Sequence, residues 1–543
     1  MDRLITILCL FAIFHLPPWS FAQDIDHTIE AVVDIEEGSV GSEDLPILEA
    51  LRQMPLDINK ADRIDWEQLP WIPPDLAQAI VDWRGAYGPF LNRQMLIRVP
   101  GMNESILDRL TPFITAGGHT PRTHGRWRMT NSRHDRYGVQ GNGRLGIQSD
   151  VNIRERFSWG MRFERRIPNR VYRWQSGYAL IHGASVIDQF LVGRFEMDFG
   201  QGLIWRSRST RPSLSTFSAS VKRRSRGFRP DRTTYSTGSN RGIAGRYNGR
   251  HLQFIGTVFR NKKGEWTHGG RWMWAHHRGV IGTSIAVKGK TYLYGLDMDI
   301  LVDRTNLFGE IVFNGRQYAV LQAGIIWSLG NIESGLAVHH EPHVYYLDDT
   351  AKSWSSLLLR WKPDQRTVVQ LSIEPQRKVH YMLLKRTVRL RHRWRYGIIL
   401  SGAWSQEKDE QQVGAGIIHS RWQSQVEGRI RGRIQWRGRL ERRRNVADGT
   451  DHQLLISTRY RSKERVNLSF QWQYTLSNHV KGSLNTPVFS GSQRSRWTLL
   501  MKGPVMPGIE VLMRYAQTRE TRHAQLKTPL MESDWSMQVS MAW

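Results

Sequence analysis

The sequence predicts a mainly β protein: a large antiparallel transmembrane β-barrel of about 22 strands behind a small all-α N-terminal domain. Three observations carry that expectation. Apolar and polar residues alternate with period 2 in segment after segment from about Arg126 to Trp543, which places apolar side chains on one face of each strand. Beyond the N-terminus no apolar run approaches the ~20 residues of a spanning helix. Charge also divides the chain: residues 1–116 hold 8 Lys/Arg against 18 Asp/Glu, whereas the remainder of this +28 chain is strongly basic.

Residues 1–22 read as a secretory signal, with Arg3 before an apolar core and Ser20-Phe21-Ala22 as the cleavage site. The single cysteine, Cys9, lies inside that core, so the mature chain has no thiol for disulfides or metal ligation. Residues 23–50 are an acidic lead-in, becoming helical near Leu45 to Met54.

Residues 51–116 form the helical domain. Asp57-Ile58-Asn59-Lys60-Ala61 precedes a helix ending near Leu69-Pro70, and Trp71-Ile72-Pro73-Pro74 leads into a second with Leu76, Ala77, Ile80 and Trp83 on one face. After Tyr87-Gly88-Pro89-Phe90 a second helical pair runs through Leu96, Val99-Pro100-Gly101-Met102 and Ile106 to Leu110-Thr111-Pro112-Phe113-Ile114.

The pieces DIN.A, LP.I.P..A.AI..WR...GPF, L..V.G and I...L.PFI resemble the tandem helix-hairpin-helix domain of ComEA-type competence proteins, over about 60 residues. The resemblance implies two hairpin turns whose backbone N–H groups approach a nucleic-acid phosphate, at Trp71, Ile72 and Pro73 and at Gly101, Met102 and Asn103. The first turn has Trp71 and Pro73 where the family has glycines, and the second keeps Gly101 but has Asn103. Six cations face eight acids in residues 55–115, so the charge that phosphate binding needs is missing. A retained fold with a docking or structural role is the expectation.

Residues 117–543 are the expected outer-membrane barrel, with 117–136 a linker or first strand. Leu145–Arg154, Phe157–Glu164, Tyr292–Ile300, Val388–Tyr396 and Val466–Leu476 alternate, many with Trp or Tyr near their ends, as in an apolar-out barrel with aromatic girdles. Arg429 to Leu440 reads as one twelve-residue strand, Ile430, Ile434, Trp436 and Leu440 opposing Arg429, Arg431, Arg433, Arg437 and Arg439. Trp535, Met537, Val539, Met541 and Trp543 give an amphipathic final strand that resembles the assembly signal of bacterial outer-membrane barrels.

Leu191 to Trp205 reads as a strand whose polar face continues at Gly200 and Gly202 without side chains. Its GQGL stretch resembles barrels found, mostly in Bacteroidota, behind degenerate helix-hairpin-helix domains. A long basic loop follows from Arg206 to Arg241, holding Arg206, Arg208, Lys222, Arg223, Arg224 and Arg226; it either folds into the lumen or lies outside against lipopolysaccharide. His339, His340, Glu341 and His343 read as a polar loop rather than a metal site, and Asp297 and Asp299 as ion-pair partners of lumen arginines. No nucleophile–base spacing or phosphate loop marks an enzyme, and no cofactor or metal is implied.

Two functions compete. Arg389, Arg391, Arg393 and Arg395, with Arg429, Arg431, Arg433, Arg437 and Arg439, would line the lumen of a conduit or receptor for a polyanion such as DNA during uptake. Alternatively the barrel is structural or assembles the envelope, and its helical domain docks a periplasmic protein. A soluble DNA-binding protein fits neither the signal nor the terminal strand. Both readings place the barrel in the outer membrane, in contact with lipopolysaccharide, and the helical domain in the periplasm.

Overall fold

The computed structural model describes residues 48, 51 and 55–542, apart from 70, 117–122, 137–142, 155, 168–170, 185–186, 206–220, 224, 226, 232–239, 250–251, 262–263, 277, 316–317, 342–352, 365, 378–381, 395–396, 410–416, 431–432, 446–448, 463–465, 482–487, 507 and 523–529. The expected signal, nearly all of the acidic lead-in, Trp543, and Arg206, Arg208, Arg224, Arg226, His343, Arg395 and Arg431 lie outside those residues.

The helical domain is built from local signals. Asp62 starts α1 (Arg63–Glu67): its carboxylate accepts from the Asp65 N–H while the Asp65 carboxylate accepts from the Asp62 N–H, a reciprocal capping box. Pro74 opens α2 (Pro74–Tyr87), where its missing N–H costs nothing, and Gly88 at φ +87° ends it. The first part of the second pair, Arg93–Arg98, is a 3-10 helix, its start capped by Asn92. Asn103 caps α3 (Glu104–Leu110) through the Ile106 N–H at 2.9 Å. Leu48, Ile58, Trp66, Leu69, Ile72, Ile80, Phe90, Leu96, Leu110 and Phe113 form its core, and Leu56–Asp57 pairs in parallel with Ile114–Thr115 to bring its ends together.

From His124 onward 24 antiparallel strands close into a barrel, rather than about 22. The last, Leu530–Ala542, pairs with the first, His124–Arg136, so no edge is left in the circuit. One further short strand, Gly227–Pro230, pairs with Ile187–Asp198 outside that circuit.

Arg429 to Leu440 is not one strand. Ile417–Ile430 and Ile434–Asn445 are neighbours joined by a hairpin, Ile430 opposite Ile434, and the Arg433 N–H donates to the Ile430 carbonyl at 3.1 Å. A connection of three residues is odd in number, so even positions stay on the outer face before and after the reversal. The period-2 pattern therefore runs unbroken through a turn. The Val388–Tyr396 pattern likewise overruns its strand, Met382–Arg393, where Trp394 N–H donates to Ile398 at 2.7 Å.

Alternation is nevertheless the organising rule. Tyr292, Tyr294, Leu296 and Met298 are exposed on the outer face while Leu293, Asp297 and Leu301 of the same strand are buried inside. The barrel has two unlike ends. At one, which we call proximal, the wall begins and finishes, and connections span two to five residues, such as Asp303-Arg304 and Gly330-Asn331. At the distal end they reach twelve residues, 341–352, and include the segment 199–239.

Candidate functional site in the barrel lumen

The strand Ile187–Asp198 stops before GQGL rather than running on to Trp205. Gly200 (φ +57°) and Gly202 (φ +79°) reverse the chain in a conformation that L side chains rarely adopt, and the Phe199 N–H returns to the Trp205 carbonyl at 3.3 Å. The reversal points into the lumen. Glu310, an inward residue of the strand Thr305–Asn314, accepts from the N–H groups of Gln201 at 2.7 Å, Leu203 at 3.0 Å and Ile204 at 3.4 Å. A Cβ on Gly200 would lie 2.9 Å from the Glu310 carboxylate, so the missing side chain is what lets the carboxylate enter the turn. Ile204 and Trp205 pack with Phe195, Phe259, Leu293 and Val312, and Lys288 donates to the Ile204 carbonyl at 3.1 Å.

The described part of the basic loop is in the lumen too. Arg223 binds the Gln201 side chain through its N–H at 2.9 Å and Asp198 through its guanidinium at 3.0 Å. Val221 packs with Phe308, Ile326, Ala337 and Leu358. Lys222 lies between Glu67 of α1, at 2.8 Å, and Asp299 of the barrel wall, at 2.5 Å.

That lysine belongs to a four-charge cluster. Arg63 of α1 pairs with Glu67 one turn on, and its other nitrogen donates to the Asp299 carboxylate at 3.1 Å. Asn306 donates to the same carboxylate at 2.8 Å. Arg63 and Lys222 are each only 3% exposed, which is tolerable because two cations meet two anions. Burial alone would lower the Arg63 pKa, but Glu67 and Asp299 outweigh it and hold the guanidinium above its ordinary value. Helical domain, inserted loop and barrel wall therefore meet at one point. Asp299 lies near the proximal end of its strand. Elsewhere at that end Asp65 of α1 feels Arg246, and Asp75 of α2 feels Glu333 and Lys362.

Further round the wall the inward positions become cationic. Arg389, Arg391 and Arg393 share the inward parity of Met382–Arg393; Arg421 and Arg429 that of Ile417–Ile430; Arg437, Arg439 and Arg443 that of Ile434–Asn445. Carboxylates sit among them, each shared between cations. Glu441 is bracketed by Arg421, at 2.8 Å, and Arg443; Glu427 by Arg437, at 3.4 Å, and Arg391, at 4.0 Å. The ladder is therefore partly compensated. Cations still outnumber these acids.

The sequence-predicted sites divide accordingly. Arg389, Arg391, Arg393, Arg429, Arg437 and Arg439 come together on one stretch of wall, and Arg433 falls in a hairpin turn. Asp297 pairs with Arg271, one bond at 2.7 Å, whereas the partners of Asp299 come from the helical domain and the loop. His339 stacks on Trp354 and His340 meets Ser353 at 2.9 Å. Trp71 and Ile72 of the first hairpin turn are buried, Trp71 against Phe113, so that turn presents little to a ligand. The second, with Gly101 and Asn103, is exposed, but the Asn103 side chain is occupied as a cap. Three of the six cations in residues 55–115 are spent on structure: Arg63 in the cluster, Arg84 on the carbonyls of Ile58 and Ala61, Arg93 on that of Thr111. Sequence reasoning missed Glu310, although a lone inward carboxylate in the apolar strand TNLFGEIVFN was a signal that something must satisfy it.

Residues 53–115 match the helix-hairpin-helix motif family, so this region is a helix-hairpin-helix domain fused to a large barrel. No curated protein matches the chain. Among solved structures, similarity extends to Pseudomonas aeruginosa OccK3 (OpdO), at 9% identity over 78% of this chain and 97% of that one, TM-score 0.34. It extends also to the P pilus usher (PapC) translocation pore, at 7% identity over 77% and 99%, TM-score 0.39. A third is the E. coli P pilus tip assembly intermediate PapC-PapD-PapK-PapG, at 8% identity over 78% and 61%, TM-score 0.46.

Proposed function

We propose that this protein is an outer-membrane conduit or receptor for a polyanion, DNA being the leading candidate, with its helix-hairpin-helix domain held as a plug in the periplasmic mouth. The observation that carries the reading is the stretch of inward wall where Arg391, Arg421, Arg437 and Arg443 share Glu427 and Glu441, with Arg389 and Arg439 at neighbouring inward positions. Surplus fixed charge in a low-dielectric passage concentrates anions and favours their transit. A closed barrel with an apolar outer face suits a membrane, because every wall strand is paired on both sides. Outer-membrane barrels carry short periplasmic turns and longer extracellular loops, and the short proximal connections support a periplasmic proximal end.

The four-charge cluster favours docking of the helical domain on its own barrel over docking of a separate periplasmic protein. Replacing Arg389, Arg437 and Arg439 together by Gln leaves the backbone ladder and the lipid face intact. In planar bilayers the variant should lose anion selectivity, and the detergent-solubilised protein should bind DNA more weakly. Unchanged selectivity and unchanged binding in a normally assembled variant would mean that the arginines only balance lumen carboxylates.

A further inference from the structure

Among the described strand residues, outward-facing arginines lie at one end of the barrel only. Arg165, Arg260, Arg386, Arg442, Arg444 and Arg519 share the parity of outward residues such as Met161, Phe254, Val388, Leu440 and Met513, and all lie in the distal halves of their strands. The proximal ends of those five strands present Phe157, Leu252, His392, Ile434 and Ile509 at outward positions, none of them an arginine. Nothing in barrel construction requires this asymmetry. An arginine on the lipid face near the midplane costs about 2–4 kcal/mol and near an interface about 0–1. Avoidance of lipid would permit arginine at both rims, so its concentration at one points to an anion there.

The register shows the densest part of this ring. One outward row runs Arg386, Gln406, Ser420, Arg444 on four neighbouring strands. The row below it runs Val388, Trp404, Trp422, Arg442, His452. Arg386 and Arg444 are three strand spacings apart, ~14 Å at about 4.8 Å each. Guanidinium groups above a shelf of indole rings suit a ligand with phosphates on a sugar head and acyl chains beneath. Arginine binds phosphate through paired N–H donors, and tryptophan faces belong at the level of the head groups.

We infer that Arg386, Arg442 and Arg444, with Trp404 and Trp422, form an outward-facing site for a phosphorylated glycolipid of the outer leaflet, of the lipid A type. This rests on the outer-membrane reading and is independent of what the lumen carries.

The test uses the full-length protein folded in detergent and three probes: bisphosphorylated lipid A, its dephosphorylated form, and phosphatidylglycerol. Binding is read by native mass spectrometry and by quenching of tryptophan fluorescence. We expect R386Q/R442Q/R444Q to lower affinity for bisphosphorylated lipid A at least tenfold, with R437Q/R439Q in the lumen unchanged. Wild type should bind the dephosphorylated form and phosphatidylglycerol as weakly as the triple variant binds lipid A. Equal affinity of wild type and triple variant, or equal wild-type affinity for all three probes, would overturn the site. Heat-modifiable gel mobility establishes that the variant is folded; if the triple variant is not, Arg442→Gln and Arg444→Gln are read singly by the same criterion, at a threefold loss. Loss of lipid binding in the outer variant, with no change of ion selectivity in the lumen variants, would retain this site and remove only the polyanion reading.

Discussion

Asp299→Asn is the most direct perturbation of the plug. The side chain keeps its shape, and the barrel ladder through Asp299 and Phe308 is untouched. What changes is the charge balance. Arg63 and Lys222, both buried, are left with Glu67 as the one carboxylate between them in the cluster. Removing one partner of a buried ion pair costs about 3–5 kcal/mol, because the remaining charge is neither hydrated nor paired. At ~1.4 kcal/mol per factor of ten, the undocked fraction of the helical domain should rise roughly 10²- to 10⁴-fold. Hydrogen exchange of the amides of α1 and α2 in detergent-folded protein reads that fraction, and bilayer conductance should rise with it. A second variant separates charge from contact. Arg63→Met with Asp299→Leu leaves Lys222 and Glu67 as a neutral pair and should recover much of the lost protection. If exchange in the single variant stays within threefold of wild type, or the double variant opens as far as the single, charge balance does not hold the domain.

Three further outcomes follow from the same geometry. Glu310→Ala strips three backbone N–H groups of the GQGL turn of their acceptor; at about 1–3 kcal/mol for a buried unsatisfied group, trypsin should cut after Arg223 far faster than in wild type, and equal rates would remove Glu310 as the anchor. Gly200→Ala should cost about 1–3 kcal/mol through its φ of +57° and the collision with Glu310, whereas Gly438→Ala, with open space at its Cβ, should be close to neutral in heat-modified gel mobility. Burial, then Asp62, pushes the Asp65 carboxyl up to about 7, so the fold disfavours its ionised form: the stabilisation is full below the ordinary carboxylate pKa and is lost as pH rises through about 7. Asp65→Asn should therefore gain protection against exchange relative to wild type on going from pH 5 to pH 8, and a pH-independent difference would sink that assignment.

Much of the architecture was legible in the sequence because it depends on local rules. Alternation along Tyr292–Ile300 decides which side chains face out whatever the neighbouring strand is, and the capping residues Asp62, Asn92 and Asn103 act within one turn of the helices they start. The helix-hairpin-helix domain and the barrel class follow from such patterns. A turn that preserves parity is invisible to them, which is why Arg429 to Leu440 reads as one strand and folds as two. Arg63 and Asp299 are 236 residues apart, and Gln201 and Glu310 are 109 apart. Nothing local relates them. Only closure of the wall brings a helix-domain arginine, a loop lysine and a wall aspartate together, and only burial makes their balance matter. By itself the sequence determined a cationic inner face and an apolar outer one. The tertiary structure decided that the GQGL segment turns inward, that the helical domain sits on the proximal wall, and that Glu427 and Glu441 stand among the arginines. Those pairings depend on which strands are neighbours and on what the closed lumen has room to hold.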